Sequence, residues 1–469
     1  MFILNRKSDI SLYEQLYEQL KQQILSGNMV AGQRLPATRE FATEYQISRN
    51  TVINAYYQLE IEGYIKPVTG SGYYVEHLPP AKVSIQKPTF VPHDSESTDM
   101  TYDYIFSYGD LDYNCYNSKA WRKCMLDAYD TLSLKENAAY EEPQGIFNLR
   151  CILGSYLYLS RGVRCSAEQI IFTSGHQQSL NIIANLFSYT DWNFAMEDPG
   201  YNGTRNTMKQ NHFHITPVPV ENDGISIKEV QKLFQTLLYV TPSHQFPMGS
   251  VLSITKRLQL LEWAEKNNGY IIEDDYDSEL RYHNRPIPSL QSIDSGNRTI
   301  YLGTFSKSLS PDLRIAYIVL PMPLLASYRK KYLYANCTVP TLFQLTLAKY
   351  MESGEYQRHL NAMRTHYRKK HDYIRKYVAD YLSDQAILLG EDSGLHFVLS
   401  IQTESNQTEL IDAFAQNKIQ IYPTEPFWIN KALCPSNQLL LGFSAIPMKQ
   451  LPDAMECLSE VIYTQAANW

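Results

Sequence analysis

A lysine and an arginine stand seven positions apart in the segment GTFSKSLSPDLRIAY, residues 303–317. Lys307 follows two hydroxyl residues, Thr304 and Ser306, and precedes Arg314. A lysine that is fixed and partly desolvated can be a neutral nucleophile. Hydroxyl groups and a guanidinium are suitable ligands for a phosphate dianion. Taken alone, such a segment more often holds a lysine on a solvated loop.

An acidic segment, EDDYDSEL at residues 273–280, directly follows the apolar run YII. Asp274 and Tyr276 would therefore lie where a strand ends, which is the usual ligand-facing edge of an open α/β sheet. A carboxylate there can keep a pyridine nitrogen protonated, and a tyrosine hydroxyl can bond the phenolic oxygen of the same ring. Together with Lys307, this segment predicts a site for pyridoxal 5′-phosphate (PLP). A solvated acidic loop is the alternative.

Two further segments supply parts of the same site. TSGHQQSL, residues 173–180, reads as a strand end, a turn and a helix start, whose backbone N–H groups can bind an anion. Tyr201, in EDPGYNGTR, offers a flat ring that could stack on a cofactor, although a core position would explain it equally well. The residues that we predict around the phosphate turn are Ser174, Gly175, His176 and Gln177.

The elements that must position these residues follow an alternating pattern. Strand-like runs such as QIIFTSG, LLYVTPS, YIIEDDYD and TIYLGTFS are separated by helical stretches, which predicts parallel βαβ units. After about residue 322 the pattern becomes mostly helical, with strands near LHFVLSI and LLLGFSAI. We predict a large α/β cofactor-binding domain over residues 101–321 and a small C-terminal α+β domain over 322–469.

The first 76 residues have a different organisation. Leucines and an isoleucine recur every fourth residue in SLYEQLYEQLKQQILSG, which predicts a helix. Two short helices follow, at 38–45 and 48–63, and IKPVTGSGYYVE reads as a strand, a glycine turn and a strand. Residues 77–100 are rich in proline, serine and charge, and we interpret them as a linker.

Composition limits the classes of protein to which this chain can belong. A chain of 469 residues with 44% hydrophobic content is expected to form two or three domains. It has no predicted signal peptide or membrane span, and its seven scattered cysteines lack a CxxC pair, so we predict a cytoplasmic protein without a metal site. The net charge of −7 means that any DNA contact must come from a local patch.

The N-terminal segment GQRLPATREFATEYQISRNTVINAYYQLEIEGYIKPVTGSGYYV resembles the winged helix-turn-helix of the GntR family. The start of its third helix would reach base edges, and the second helix and the wing would contact the DNA backbone or minor groove. A small dimerisation or docking module is the alternative, because residues 1–76 hold 7 Lys or Arg against 8 Asp or Glu. The predicted DNA-binding residues are Arg34, Arg39, Ser48, Arg49, Asn50, Thr51, Thr69, Gly70, Ser71 and Gly72.

Over residues 101–469, the order of the motifs resembles that of the fold-type I aminotransferases. Together with the N-terminal winged helix-turn-helix, the whole chain resembles the MocR subfamily of transcriptional regulators. The resemblance implies that Lys307 forms the Schiff base with PLP and that Asp274 binds the pyridine nitrogen. It also implies that Tyr140, in YEEPQG, reaches the phosphate of a neighbouring subunit in a homodimer. The phosphate ligands that it implies are Gly175, His176, Thr304, Ser306 and Arg314.

Two positions depart from the aminotransferase pattern. Phe246 stands where these enzymes usually have an asparagine. The polar contact to the phenolic oxygen of PLP would therefore be lost, or Gln245 or His244 would make it instead. Leu440 stands where they typically place an arginine that binds the substrate carboxylate. Arg205 is a candidate replacement for that arginine, and a solvent-facing position is its alternative.

These departures favour a regulator over a working enzyme. The leading hypothesis is a transcription factor that binds promoter DNA through the winged helix and senses PLP, or an amine or amino acid, through its aminotransferase-like domain. The alternative is an active PLP-dependent aminotransferase with an appended DNA-binding domain. The intact set of Asp274, Tyr276 and Lys307 supports the alternative, and Leu440 opposes it.

Overall fold

The computed structural model describes residues 2–79, 101–112, 119–134, 142–283 and 287–466. The chain divides into two compact units, Met1–Thr98 and Asp99–Trp469. The predicted linker falls largely outside the described residues. The domain boundaries predicted at residues 76, 100 and 321 stay predictions.

The first unit contains three helices and a two-stranded antiparallel wing. They are α1 (Leu12–Leu25), α2 (Thr38–Glu44), α3 (Arg49–Ile61), β1 (Ile65–Val68) and β2 (Gly72–Val75). The four-residue spacing places Leu16, Leu20 and Ile24 in the core, where they are buried. The Ser48 hydroxyl accepts the N–H of Thr51 at 3.1 Å and so caps α3. The predicted winged helix-turn-helix is confirmed.

The second unit contains a large sheet, a smaller sheet and the helices around them. In chain order its elements are β3 (Tyr104–Ile105), α4 (Lys119–Ser133), α5 (Phe147–Arg161), β4 (Ile170–Thr173), α6 (His176–Leu186), β5 (Asn193–Asp198), α7 (Asn202–Gln210), β6 (Ile215–Glu221), β7 (Gly224–Ile225), α8 (Ile227–Val230), β8 (Thr236–Val240), α9 (Ile254–Lys266), β9 (Tyr270–Asp275), β10 (Thr299–Thr304), β11 (Ala316–Val319), α10 (Met322–Lys331), α11 (Thr341–Glu352), α12 (Glu355–Tyr381), β12 (Ala386–Leu389), β13 (His396–Ile401), α13 (Gln407–Gln416), β14 (Ile419–Gln420), β15 (Tyr422–Pro423), β16 (Gln438–Gly442) and α14 (Leu451–Ala466).

The large sheet has the strand order β4-β11-β10-β9-β8-β5-β6-β7. The pairs β10/β9, β9/β8, β8/β5 and β5/β6 are parallel, and β11 is antiparallel to both of its neighbours. The carboxyl ends of β4, β8, β9 and β10 therefore meet at one edge, together with the amino end of β11. Because ligands bind beyond the carboxyl ends of parallel strands, this edge is where a site is expected. The mostly parallel sheet that we predicted is confirmed.

The smaller sheet, in the order β12-β13-β16-β15, packs with α12, α13 and α14 around a core of its own. The strand β3 pairs in parallel with β14, so the segment at residues 104–112 is attached to this C-terminal part. In the described part of the chain, no helix is long and apolar enough to cross a membrane.

Candidate PLP site and DNA-reading unit

A cavity of about 370 Å³ opens at the carboxyl edge of the large sheet. Strands and turns that are far apart in the chain meet there, as the sheet order requires. The residues that line it are Tyr108, His176, Gln177, Tyr201, Tyr239, Thr241, Phe246, Asp274, Tyr276, Thr304, Ser306, Lys307, Pro311 and Arg314.

Lys307 follows β10 and extends into this cavity. Its Nζ donates to the carbonyl oxygen of Gly109 at 3.2 Å and lies 4.4 Å from the centre of the Tyr108 ring. Burial lowers the pKa of Lys307 to about 8, against the attraction of Asp277 and Asp110. The neutral amine, which is the nucleophilic form, is therefore much more populated near neutral pH than for an exposed lysine.

Asp274 lies near the end of β9, where its carboxylate is buried. It accepts a hydrogen bond from the Tyr239 hydroxyl, and its Oδ2 is 3.0 Å from Nε2 of His176. Burial raises the pKa of Tyr239 well above its usual value, so this phenol remains a donor. The carboxylate is thus fixed in direction, as an acid that pairs with a ring nitrogen must be.

Tyr276 is oriented by a buried pair beside the cavity. Its hydroxyl lies 3.0 Å from Nδ1 of His244, and the same nitrogen lies 2.7 Å from Oδ2 of Asp277. Burial, followed by the nearby charge of Asp277, raises the pKa of Tyr276 well above its ordinary value. The phenol therefore stays protonated and can donate to an oxygen on a bound ring.

The turn after β4 is shaped for a phosphate. Gly175 precedes α6 with a φ of 135°, and the guanidinium of Arg314 occupies the space that a Cβ at this glycine would need. Among the described residues, no carboxylate forms an ion pair with Arg314. Across the turn, Oγ1 of Thr304 lies 3.0 Å from Oγ of Ser306. A helix N-terminus, an unpaired guanidinium and two hydroxyls fit a phosphate dianion.

Part of the cavity lining belongs to an apolar cluster. Phe246, Val398 and Leu440 form one buried cluster, which we call the apolar wall. Val398 on β13 faces Leu440 on β16 across an antiparallel pair, and Phe246 reaches from the loop after β8 into the cavity lining. The two positions at which the sequence departs from the aminotransferase pattern thus belong to the same buried cluster, of which Phe246 lines the cavity.

In the first unit, the predicted DNA-binding residues surround the start of α3 and the wing. Arg34, Arg39 and Arg49 are exposed, and none of them pairs with a carboxylate in the described part of the chain. By contrast, Nζ of Lys66 lies 2.9 Å from Oε1 of Glu76. Gly70 adopts a φ of 75° in the wing turn, a conformation that favours glycine.

Comparison with protein families assigns both units. Residues 12–75 match the family of bacterial regulatory proteins called gntR, and residues 105–455 match aminotransferase class I and II. The chain is 37% identical to the uncharacterized HTH-type transcriptional regulator YdeL of Bacillus subtilis (strain 168), over 97% of both chains. It is 31% identical to the probable rhizopine catabolism regulatory protein MocR of Rhizobium meliloti, over 98% of this chain and 95% of that protein.

The chain belongs to the MocR subfamily of GntR-type transcriptional regulators. Another relative of this MocR-type chain is the HTH-type pyridoxine biosynthesis transcriptional regulator PdxR of Corynebacterium glutamicum, at 29% identity over 94% of each chain. MocR-type proteins bind DNA through the gntR domain. Their aminotransferase class I and II domain is PLP-dependent, which confirms the predicted cofactor.

Solved structures agree on the fold of the MocR-type second unit. The multiple substrate aminotransferase from Thermococcus profundus superposes with a TM-score of 0.71, covering 80% of this chain and 94% of that one at 22% identity. The Pyrococcus horikoshii kynurenine aminotransferase gives a TM-score of 0.69, covering 78% and 92%, also at 22% identity. The predicted fold-type I architecture is confirmed.

Several predicted residues lie elsewhere in this MocR-type chain. Gln245 does not line the cavity, because its Nε2 donates to the carbonyl oxygens of Pro199 and Phe246 and its Oε1 accepts from the Met248 N–H. Ser174 is also turned away, since its N–H and hydroxyl donate to Oε1 of Gln178.

Arg205 is not the replacement anchor that we predicted. It lies on α7, where its guanidinium donates to the carbonyl oxygens of Pro426 at 2.7 Å and Trp428 at 3.1 Å. These bonds hold it on the backbone of a neighbouring turn and outside the cavity lining. Tyr140 lies outside the described residues, so its role stays a prediction.

The sequence did not single out some residues of the cavity. Tyr108 and Gly109 come from a segment about two hundred positions before Lys307. Tyr239 occupies an apolar strand run, where a tyrosine reads as core. Its register beside β9 places its hydroxyl against Asp274, and only the pairing of the two strands reveals this.

Proposed function

We propose that this protein is a ligand-responsive regulator whose second unit holds PLP on Lys307 and whose first unit converts the bound state into DNA affinity. The observation that supports it is one cavity in which a lysine with a lowered pKa, a fixed carboxylate and residues of the turn after β4 meet Phe246 of the apolar wall. Such a cavity is suited to holding the cofactor, and it offers little to an amino-acid substrate.

Each residue of the cavity has a proposed role toward the cofactor. Asp274 would pair with the ring nitrogen, Tyr276 would donate to the ring hydroxyl, and Tyr201 would stack on the ring. When bound, PLP supplies an aldehyde that forms a reversible C=N bond with a primary amine and releases water. The residues that would hold its phosphate are Gly175, His176, Gln177, Thr304, Ser306 and Arg314.

The effector that we propose is PLP itself or a primary amine without a free carboxylate. The basic side chains that line the cavity are His176, Lys307 and Arg314, and each has a role toward Asp274 or the cofactor. A carboxylate at the apolar wall would lose its water without gaining a charged partner, which is unfavourable. An amino acid is therefore the weaker candidate.

On the DNA side, Arg49 and Asn50 at the start of α3 would contact bases. Arg34, Arg39 and the wing turn at residues 69–72 would contact the phosphate backbone or the minor groove. We propose that the protein acts as a homodimer on promoter DNA, in the cytoplasm where that DNA lies. A ligand that prefers one arrangement of the second unit would shift the dimer between two DNA affinities.

The test compares reciprocal variants of the full chain. Lys307→Ala should lose the visible absorbance band that borohydride bleaches, together with any response of the DNA footprint to PLP, while still binding upstream DNA. Lys266→Ala, an exposed lysine on α9, is the matched control and should behave as wild type. An unchanged band in Lys307→Ala would refute the cofactor assignment.

Arg49→Ala provides the opposite half of the test. It should abolish the specific footprint and leave the absorbance band intact, because it changes only the first unit. A surviving footprint would place the recognition surface elsewhere. Sustained multiple turnover of an amino acid with a keto acid would reject the sensor in favour of an enzyme.

A further inference from the structure

Two imidazoles and a carboxylate converge on the second unit outside the PLP cavity. His283 lies in the loop after β9, and His371 and Asp372 lie on α12. Their candidate ligand atoms all lie within 4.8 Å of one another. Oδ1 of Asp372 is 2.8 Å from Nε2 of His283 and 3.1 Å from Nδ1 of His371. We call these three residues the His-Asp cluster.

The contacts of His371 contain an electrostatic conflict. Its Nε2 lies 2.9 Å from the carbonyl oxygen of Glu391, while its Nδ1 faces Oδ1 of Asp372. A neutral imidazole has a single N–H, so it can donate to only one of two such acceptors. The side chain is fully buried, where a doubly protonated, charged ring would lose its hydration. A cation between Nδ1 and the carboxylate would remove the conflict.

The rest of the environment matches that of a metal-binding histidine. A ring N–H that donates to a backbone carbonyl fixes the tautomer and directs the other nitrogen toward a metal. Here the Glu391 carbonyl is placed to accept from Nε2, which leaves the lone pair of Nδ1 directed at the cluster. The ring is also held by Tyr282 and Phe397, whose centres lie 4.8 and 5.0 Å away.

We propose that His283, His371 and Asp372 bind a divalent cation of the zinc class. Imidazole nitrogen and carboxylate oxygen are both zinc ligands, and three protein ligands leave a position for water. His283 and Asp372 line an open groove of about 620 Å³ that would admit the metal. The ion would connect the loop after β9 to α12, independently of PLP.

The nearby positive charges do not block this site. Arg375 and Lys376 line the same groove and would repel a cation. However, Nε of Arg375 donates to the Glu391 carboxylate, which balances much of its charge.

The experiment uses the full chain, prepared without an affinity tag, treated with a chelator and kept with its thiols reduced. Calorimetric titration with Zn²⁺ should show one saturable site that His283→Ala weakens at least tenfold, since a ligand is lost. His283 is 46% exposed, so the variant should fold. His214→Ala, which removes an exposed histidine outside the cluster, is the control and should bind as wild type.

A second measurement separates this site from binding at free cysteines. Zn²⁺ should raise the melting temperature of wild type and of His214→Ala, because a ligand stabilises a folded protein that binds it. It should not raise the melting temperature of His283→Ala or Asp372→Asn, which lack a ligand. With Co²⁺, wild type should show an absorption spectrum typical of nitrogen and oxygen ligands. His283→Ala and Asp372→Asn should not show this spectrum. No saturable binding by wild type, or equal binding by all four proteins, would overturn the proposal.

Discussion

The polar lining of the PLP cavity and the apolar wall are built from different parts of the molecule. The polar side is made by the carboxyl ends of β4, β9 and β10, which follow from the parallel order of the large sheet. The apolar wall is made by Phe246 together with Val398 and Leu440, and the last two belong to the smaller sheet. The residues proposed to hold the cofactor are charged and polar, while the cluster that contains Leu440, where the aminotransferase pattern has an arginine, is apolar.

This contrast agrees with the proposed role of the second unit as a sensor. Holding PLP requires groups on one side only, and those groups are positioned by hydrogen bonds that the structure already contains. Rapid transamination also requires a substrate that is oriented on the other side. At the position of the expected arginine, Leu440 is 1% exposed and packs against apolar neighbours.

The largest effect is expected when a charge is placed in the apolar wall. Leu440→Arg should not restore an enzyme, because the guanidinium would be buried without a partner, and we expect a loss of about 3–5 kcal/mol of unfolding free energy. Thermal or urea unfolding measures this. The control Leu440→Met keeps the volume and should cost less than about 1.5 kcal/mol. A stable Leu440→Arg protein with amino-acid turnover would show that the wall can accept a substrate clamp.

A smaller effect is expected on the polar side. Arg314→Ala should weaken PLP binding about tenfold to a hundredfold, since a charge-assisted hydrogen bond contributes about 1.5–3 kcal/mol. Equilibrium titration of the visible absorbance measures it. Arg329→Ala, at an arginine that is 53% exposed on the surface, is the matched control. Equal PLP affinity in both variants would remove Arg314 from the phosphate site.

The smallest effect concerns the pH dependence of the polar side. Because burial lowers the pKa of Lys307 to about 8, the rate at which the apo protein captures PLP should rise with pH and reach half its maximum near pH 8. The same shift has a stability consequence. Between about pH 8 and the ordinary lysine pKa of 10.5 the unfolded chain binds more protons, so stability rises with pH there. Stopped-flow absorbance measures the capture rate as a function of pH, and a midpoint near pH 10 would contradict the prediction.

The fold could be predicted well from the sequence because its signals are local. Leu16, Leu20 and Ile24 reveal a helix by spacing, and the run YII reveals β9 by its apolar character. The motif order then predicts the aminotransferase-like architecture. The antiparallel direction of β11 was not predicted, because an apolar run has the same composition in either direction.

Within the site, the accuracy of prediction depends on whether the backbone or the side chain decides the contact. Asp274, Tyr276, Lys307 and Arg314 all line the cavity, since their places follow from strand ends and turns. Gln245 and Arg205 do not, because each has backbone carbonyls within reach that satisfy its donors. Which acceptor lies nearest to a polar side chain is not encoded in its own segment.

The sequence alone determined the family, the cofactor and the positions of Asp274, Tyr276, Lys307 and Arg314 along the cavity, because strand ends and turns are specified by neighbouring residues. Only the tertiary structure decided that Tyr108 and Gly109 approach Lys307, and that Phe246 and Leu440 form one wall. These contacts join segments separated by some two hundred positions. Their physical cause is tertiary packing between distant segments, which no local pattern contains.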